Sequence, residues 1–248
     1  LFAGLKDGKL DYYAFKPPLG ADGVLDYTLV VYLHGMGSNH MEPFLIPANS
    51  TIAASLSQGQ PYLGLLSPSY RKEASWGNDA ALSDLVQNIR EVLQEYPFKK
   101  IVIMGTSMGG CVALNFAALA PEDIKNKIQG VVSVEGAGDL KELFYNTHTD
   151  ALRPAMMIAF GGTPKEAGEI YKQKSFLSNL DRLDPACRIY IISAKQDRVV
   201  PPELQKQIVG KLDERKIANR LEELDQTHEA PPAINYRKGL DFVLGLSP

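Results

Sequence analysis

Residues 100–120 constrain the fold more than any other stretch of the chain. Lys100-Ile101-Val102-Ile103-Met104 is a short apolar run of the kind that forms a strand buried on both faces. Gly110-Cys111-Val112-Ala113-Leu114-Asn115-Phe116-Ala117-Ala118-Leu119-Ala120 is a helix-forming stretch that Pro121 ends. Between them stand only Gly105-Thr106-Ser107-Met108-Gly109, which fit the pattern G-x-S-x-G. A strand that reverses into a helix over so few residues needs a strained turn with small neighbours. Such a turn lifts the Ser107 hydroxyl clear at the carboxyl edge of a sheet. The helix N-terminus beneath it offers free N–H groups and a positive dipole end to a developing oxyanion.

The rest of the chain keeps the same rhythm of strand, loop and helix. Residues about 10–16 alternate and read as an early edge strand, and Asp22-Gly23 as a turn. Apolar runs at Tyr27–Leu33, Tyr62–Ser67, Gln129–Val134 and Arg188–Ser193, with a shorter one at about 219–224, predict further strands. Helices are expected at about 48–58, 79–95, 202–215 and 232–245. The clearest is 79–95, where Leu82, Leu85, Val86, Ile89 and Leu93 share a face and Asp84, Gln87, Glu91 and Gln94 lie elsewhere. Residues about 136–185 are less regular and read as a helical excursion over the active face. Strands apolar throughout imply a mostly parallel central sheet flanked by helices on both faces. A length of 248 suits a single α/β domain covering residues 1–248.

Composition excludes several function classes. The net charge is −3 and no Lys/Arg-rich face stands out, so nucleic acid is not an expected partner. Apolar runs are strand-sized, well short of the roughly 20 residues that a membrane span needs. The two cysteines, Cys111 and Cys187, form neither a disulfide framework nor a ligand pair, and no metal or organic cofactor is expected. The chain starts at Leu1 rather than Met, which reads as a processed or trimmed start. Both a cytoplasmic and a secreted location remain open, a removed signal peptide included.

A serine hydroxyl is a weak nucleophile and needs a base, usually an imidazole oriented by a carboxylate. In a fold of this kind the acid and then the base follow the nucleophile along the chain. His228, in the loop Asp225-Gln226-Thr227-His228-Glu229 between the last strand and last helix, meets that order. His148 competes, but no strand end presents it. Asp197 directly follows a strand and is the expected acid. Glu135, at the end of the strand after the elbow helix, is its rival, and Asp139 a weaker one. Met108 N–H and Met36 N–H, the latter in the Gly-containing loop His34-Gly35-Met36-Gly37, are the expected oxyanion donors. That loop lacks the G-x-G-x-x-G register of a dinucleotide site, and His34 is read as structural. Trp76, Tyr70 and Glu135 are candidates for the substrate pocket. Core packing is the competing role for Trp76 and Tyr70, as for Phe144, Tyr145, Met156 and Phe160, and a surface ion pair for Arg71.

On these residues the chain resembles an α/β-hydrolase-fold serine hydrolase. The resemblance rests on His34-Gly35-Met36-Gly37, Gly105-Thr106-Ser107-Met108-Gly109-Gly110, Asp197 with Val199-Val200-Pro201, and His228. Within that superfamily it is similar to small bacterial esterases and to the catalytic domain of prolyl-oligopeptidase-like enzymes. Pro68-Ser69-Tyr70-Arg71 with Ser75-Trp76-Gly77 matches a segment of the latter group, departing from it at Lys72, where Gly is usual. The 248 residues leave no room for the β-propeller that gates true oligopeptidases. The resemblance therefore implies cleavage of a small-molecule carboxylic ester through an acyl-enzyme. Peptidase, thioesterase or acyltransferase use of the same fold stays open, as does a catalytically silent binding module.

Overall fold

Aliphatic and β-branched runs become strands because they fill both sides of a covered sheet. The computed structural model describes residues 1–19 and 27–246, and the turn expected at Asp22-Gly23 lies outside the described residues. The chain opens with β1 (Phe2–Ala3) and β2 (Leu10–Asp11), an antiparallel pair apart from the main sheet. Then come β3 (Tyr13–Lys16), β4 (Tyr27–Leu33), the short helices α1 (Glu42–Leu45) and α2 (Ile52–Ser57), and β5 (Leu63–Pro68). Next are α3 (Asp79–Glu95), β6 (Phe98–Thr106), α4 (Met108–Leu119), α5 (Glu122–Lys125) and β7 (Ile128–Val134). Between β7 and β8 (Arg188–Ala194) run α6 (Leu140–Asn146), α7 (Leu152–Phe160), α8 (Gly168–Lys174), α9 (Phe176–Asn179) and a 3₁₀ turn at Leu180–Arg182. The chain closes with α10 (Pro202–Glu214), β9 (Asn219–Leu224) and α11 (Ala233–Leu244).

The main sheet has seven strands in the order β3-β5-β4-β6-β7-β8-β9. Strand β3 pairs antiparallel with β5, and every other pairing is parallel. Alternation along the strands divides the interior in two. Leu29, Val31, Ile101, Ile103, Ile189 and Ile191 face the core under α3, α4 and α10. Val30, Tyr32, Val102, Met104, Tyr190 and Ile192 face the core under α2 and α11. From β4 the chain passes to β5 on one side and then returns to β6 on the other. That reversal opens a crevice at the carboxyl ends of β4 and β6, the place where open α/β sheets bind ligands.

Three sequence expectations shift. The alternating run at 10–16 is broken at Tyr12 into two strands that belong to different sheets. The helix expected at 48–58 begins only at Ile52, where Thr51 accepts from Ala54 N–H as its cap. On α3 the buried face includes Asp84, which the apolar periodicity had set outside it, and also Asn88. Arg71 is the reason for Asp84: the guanidinium closes on its carboxylate through Nε and through Nη2, the latter at 3.0 Å, while also meeting Asp7. Asp84 is fully buried, so its charge is held by this pair rather than by water.

Candidate active site

The turn between β6 and α4 is a single residue. Ser107 sits there at φ 55°, ψ −117°, and donates its backbone N–H to Val134 O at 2.7 Å. Positive φ is costly for a residue with a Cβ and persists only where the surroundings impose it. The first N–H groups of α4, Met108 among them, have no intrahelical acceptor. The loops after β8 and β9 are laced together, Lys195 N–H donating to Leu224 O (2.9 Å) and Gln196 N–H to Gln226 O (3.0 Å). This lacing brings Asp197 and His228 to the edge where Ser107 stands. The Ser107 hydroxyl donates to His228 Nε2 at 2.9 Å, and His228 Nδ1–H donates to Asp197 Oδ2 at 2.7 Å. Asp197 Oδ1 accepts from Val199 N–H and Val200 N–H, both at 2.8 Å, so the carboxylate is fixed on both oxygens.

Glu135 lies beside this chain of hydrogen bonds, not in a substrate pocket. It is 1% exposed, and its Oε2 is 3.2 Å from His228 Nδ1. Burial pushes its carboxyl up to about 7, and the neighbouring Asp197 charge adds to the shift. Burial alone would lower the His228 imidazole. The hydrogen bond and charge of Asp197, with the charge of Glu135, outweigh that and hold it above 6.5. Glu135, Asp197 and His228 have ligand atoms within 4.8 Å of one another. The Nδ1 proton is committed to Asp197, so the imidazole is spent on that carboxylate and is not free on this side to hold a cation.

The remaining candidates separate cleanly. Asp139 accepts from Lys141 and Glu142 N–H as the cap of α6 and takes no part. His148 has an exposed side chain and uses its backbone N–H on Arg198 O. His34 is buried, its ring nitrogens against Gly35 O (2.8 Å) and Ser69 O (3.1 Å). Trp76 and Tyr70 are corrected from pocket walls to core, at 1% and 0% exposure. The Tyr70 hydroxyl donates to His34 O at 2.6 Å, and Trp76 N–H faces Met108 Sδ. Phe144, Met156 and Phe160 are core as well, whereas Tyr145 is 45% exposed. Burial raises both thiols to about 12, which makes Cys111 and Cys187 inert packing residues. Lys72 stands at φ 73°, in the left-handed region that explains why glycine is usual there.

One buried network has no signature in the sequence. Glu42, in the short α1, accepts from Gly35 N–H at 3.0 Å and from the Tyr32 hydroxyl at 2.6 Å. The Tyr32 hydroxyl also meets Thr106 Oγ1 at 2.9 Å, which in turn meets the Tyr236 hydroxyl at 2.9 Å. The loop carrying Met36 and the strand end beside Ser107 are thereby tied through one carboxylate and one phenol, with the Tyr236 hydroxyl joined at Thr106. Glu42→Gln would replace one of the two accepting oxygens with an NH2 group, a donor facing Gly35 N–H or the Tyr32 hydroxyl. We expect it to cost about 1–3 kcal/mol in chemical denaturation, the penalty of an unsatisfied buried donor. It should also lower kcat, by less than the roughly 10²–10³-fold that follows outright removal of an oxyanion donor. Unchanged stability and kcat would show that the loop is held by other contacts.

Solved structures share this architecture. A puromycin-hydrolyzing peptidase of Mycobacterium tuberculosis superposes with a TM-score of 0.73 at 18% identity, covering 100% of this chain and 39% of that one. The chain thus spans well under half the length of that peptidase. Fluorophosphonate-binding serine hydrolase F of Staphylococcus aureus gives a TM-score of 0.72 at 15% identity, covering 98% of this chain and 94% of the other. The S-formylglutathione hydrolase FrmB of Staphylococcus aureus gives 0.70 at 15%, covering 98% and 95%. No curated protein sequence matches the chain. The sequence profile of the alpha/beta hydrolase fold family does match, over residues 28–165, from the strand that precedes the Met36 loop through the Ser107 turn and beyond β7. A match across more than half the chain, on a parallel sheet that presents a serine at the end of β6, makes this chain a member of the alpha/beta hydrolase fold family.

Proposed function

We propose that the chain is a serine hydrolase that cleaves a small carboxylic ester through an acyl-enzyme, working as one α/β domain. The observation that carries this reading is the unbroken path from Ser107 Oγ through His228 to Asp197, at 2.9 and 2.7 Å. Ser107 Oγ attacks the ester carbonyl while His228 Nε2 takes its proton. The imidazolium then protonates the departing alkoxide, and a water repeats the sequence to release the acid. Asp197 fixes the tautomer and stabilises the imidazolium. Met108 and Met36 N–H are assigned to the tetrahedral oxyanion, where each donor is worth about 2.7–4 kcal/mol.

Labelling with a fluorophosphonate, followed by peptide mapping, tests this reading. A stoichiometric adduct on Ser107 is expected, together with faster turnover of p-nitrophenyl acetate than of thioester or peptide anilide substrates. Absence of an adduct on folded protein would favour a silent binding module. A dominant peptide or thioester activity would move the chain towards the peptidase or the S-formylglutathione hydrolase among its structural relatives. The pH profile gives a second check. His228 accepts a proton only when neutral, and its pKa is held above 6.5. The acid limb of kcat/KM should therefore have its midpoint above 6.5, with activity lost as pH falls through it.

A further inference from the structure

His228 faces two carboxylates on the same side of its ring, and the reading above uses only one. Glu135 immediately follows β7, at φ 52°, an uncommon conformation for a side chain of this size. Its backbone is pinned there by Glu135 N–H donating to Ile192 O at 2.8 Å. Its Oε1 accepts from Gln226 Nε2 at 3.2 Å, and Gln226 Nε2 also donates to Glu229 O at 2.8 Å. Oε2 is buried without a hydrogen-bond partner, yet lies 3.2 Å from His228 Nδ1. A buried carboxylate oxygen without a donor is costly, and strained backbone tends to be kept where it serves a site. The unspent acceptor points at the one atom of the ring that Asp197 also addresses.

We infer that Glu135 is a second acid of the triad, a positioning residue that shares the Nδ1 side of His228 with Asp197 and can orient the imidazole in its place. This rests on the assignment of Ser107 and His228 as nucleophile and base. In the resting neutral ring the single Nδ1 proton goes to Asp197, the closer partner. When the Ser107 proton reaches Nε2 the ring becomes a cation with a carboxylate at 2.7 Å and another at 3.2 Å. With Asp197 gone, Nδ1–H has Glu135 Oε2 as its remaining acceptor, and the productive tautomer survives. The groups facing Glu135 are His228, Gln226 and the Glu229 backbone from the loop after β9, Asp197 from the loop after β8, and the Tyr236 hydroxyl from α11. Of these, Asp197 and His228 are the ionisable partners within ion-pair distance of one another and of Glu135.

The test compares wild type, Asp197→Ala, Glu135→Gln, the double variant and His228→Ala, each by kcat/KM for p-nitrophenyl acetate over a pH range and by fluorophosphonate labelling. Where a triad has a single acid, disabling it costs about 10⁴-fold in kcat, and here Asp197→Ala should lose no more than about 10²-fold. Glu135→Gln alone should lose less than tenfold and move the acid limb to lower pH, because a negative charge beside the imidazolium is gone. The double variant should fall to the level of His228→Ala, a loss far greater than the product of the two single ones. Should Asp197→Ala destabilise the loop by stranding Val199 and Val200 N–H, Asp197→Ser keeps a hydroxyl acceptor for them without an amide that would donate to His228 Nδ1, and serves the same comparison. Asp197 variants as inactive as the double, with an unmoved acid limb in Glu135→Gln, would overturn the role of Glu135 alone. A wild type that neither labels at Ser107 nor turns over would overturn the hydrolase reading and this one with it.

Discussion

Ser107→Ala should lose ester turnover by on the order of 10⁶-fold in kcat and take up no fluorophosphonate, with its thermal midpoint close to wild type. The size of the loss follows from the role: no other hydroxyl is carried by the turn at the end of β6 in hydrogen-bond contact with His228. The small effect on folding follows from the contacts. The side chain gives up one hydrogen bond, to His228 Nε2, while the turn itself is held by the backbone bond from Ser107 N–H to Val134 O. Alanine at φ 55° bears the same strain as serine, so the substitution neither relieves nor adds to it. Circular dichroism and a melting curve check the fold, and steady-state kinetics the chemistry. A variant that turns over within tenfold of wild type would remove Ser107 from the mechanism.

The parts of the site legible in the sequence are those set by short-range pattern. Ser107 announces itself because a strand, a one-residue turn and a helix each leave a local mark. His228 and Asp197 follow once chain order is added, since both stand just past a strand. What pattern could not supply is where side chains from distant segments converge. Glu42 sits in a four-residue helix with no periodicity, yet it ties Gly35 to Tyr32. Glu135 read as a rival acid or a pocket residue; only the pairing of β7 with β8 shows that it stands beside Asp197. Trp76 and Tyr70, in the segment between a strand and the long helix, were open to either a pocket or a core role; both have positive φ and both are buried in the core. Asp84 looked solvated because periodicity sees charge and not the arginine that neutralises it. Glu42, Glu135 and Asp84 are cases of a long-range partner overriding a local rule.

Gly109→Ala should be the most damaging alanine substitution among the described glycines. A Cβ at this position would fall on Leu33 O, with Leu33 C and His34 O close behind, all of them backbone atoms at the end of β4. A flexible side chain can swing aside from a new methyl group; a strand carbonyl cannot. Either α4 lifts away from the sheet or β4 shifts, and overpacking of this kind costs about 1–3 kcal/mol or more. For a chain of this length each kcal/mol lowers the melting temperature by roughly 2–4 °C, so a drop of about 6–12 °C is expected at the upper end. Activity should fall further than stability explains. Ser107 and Met108 precede Gly109 on the same turn, and the Met36 loop follows Leu33 and His34, so one displacement moves the nucleophile and both assigned oxyanion donors apart. A misplacement near 1 Å is worth about 10²-fold in rate. Gly210→Ala is the control: Gly210 is within α10 with nothing near its Cβ position, and alanine there should be neutral or stabilising by about 0.5–1 kcal/mol. If Gly109→Ala melts with wild type and labels at Ser107 at the same rate, the close approach of α4 to β4 is not what holds the nucleophile in place.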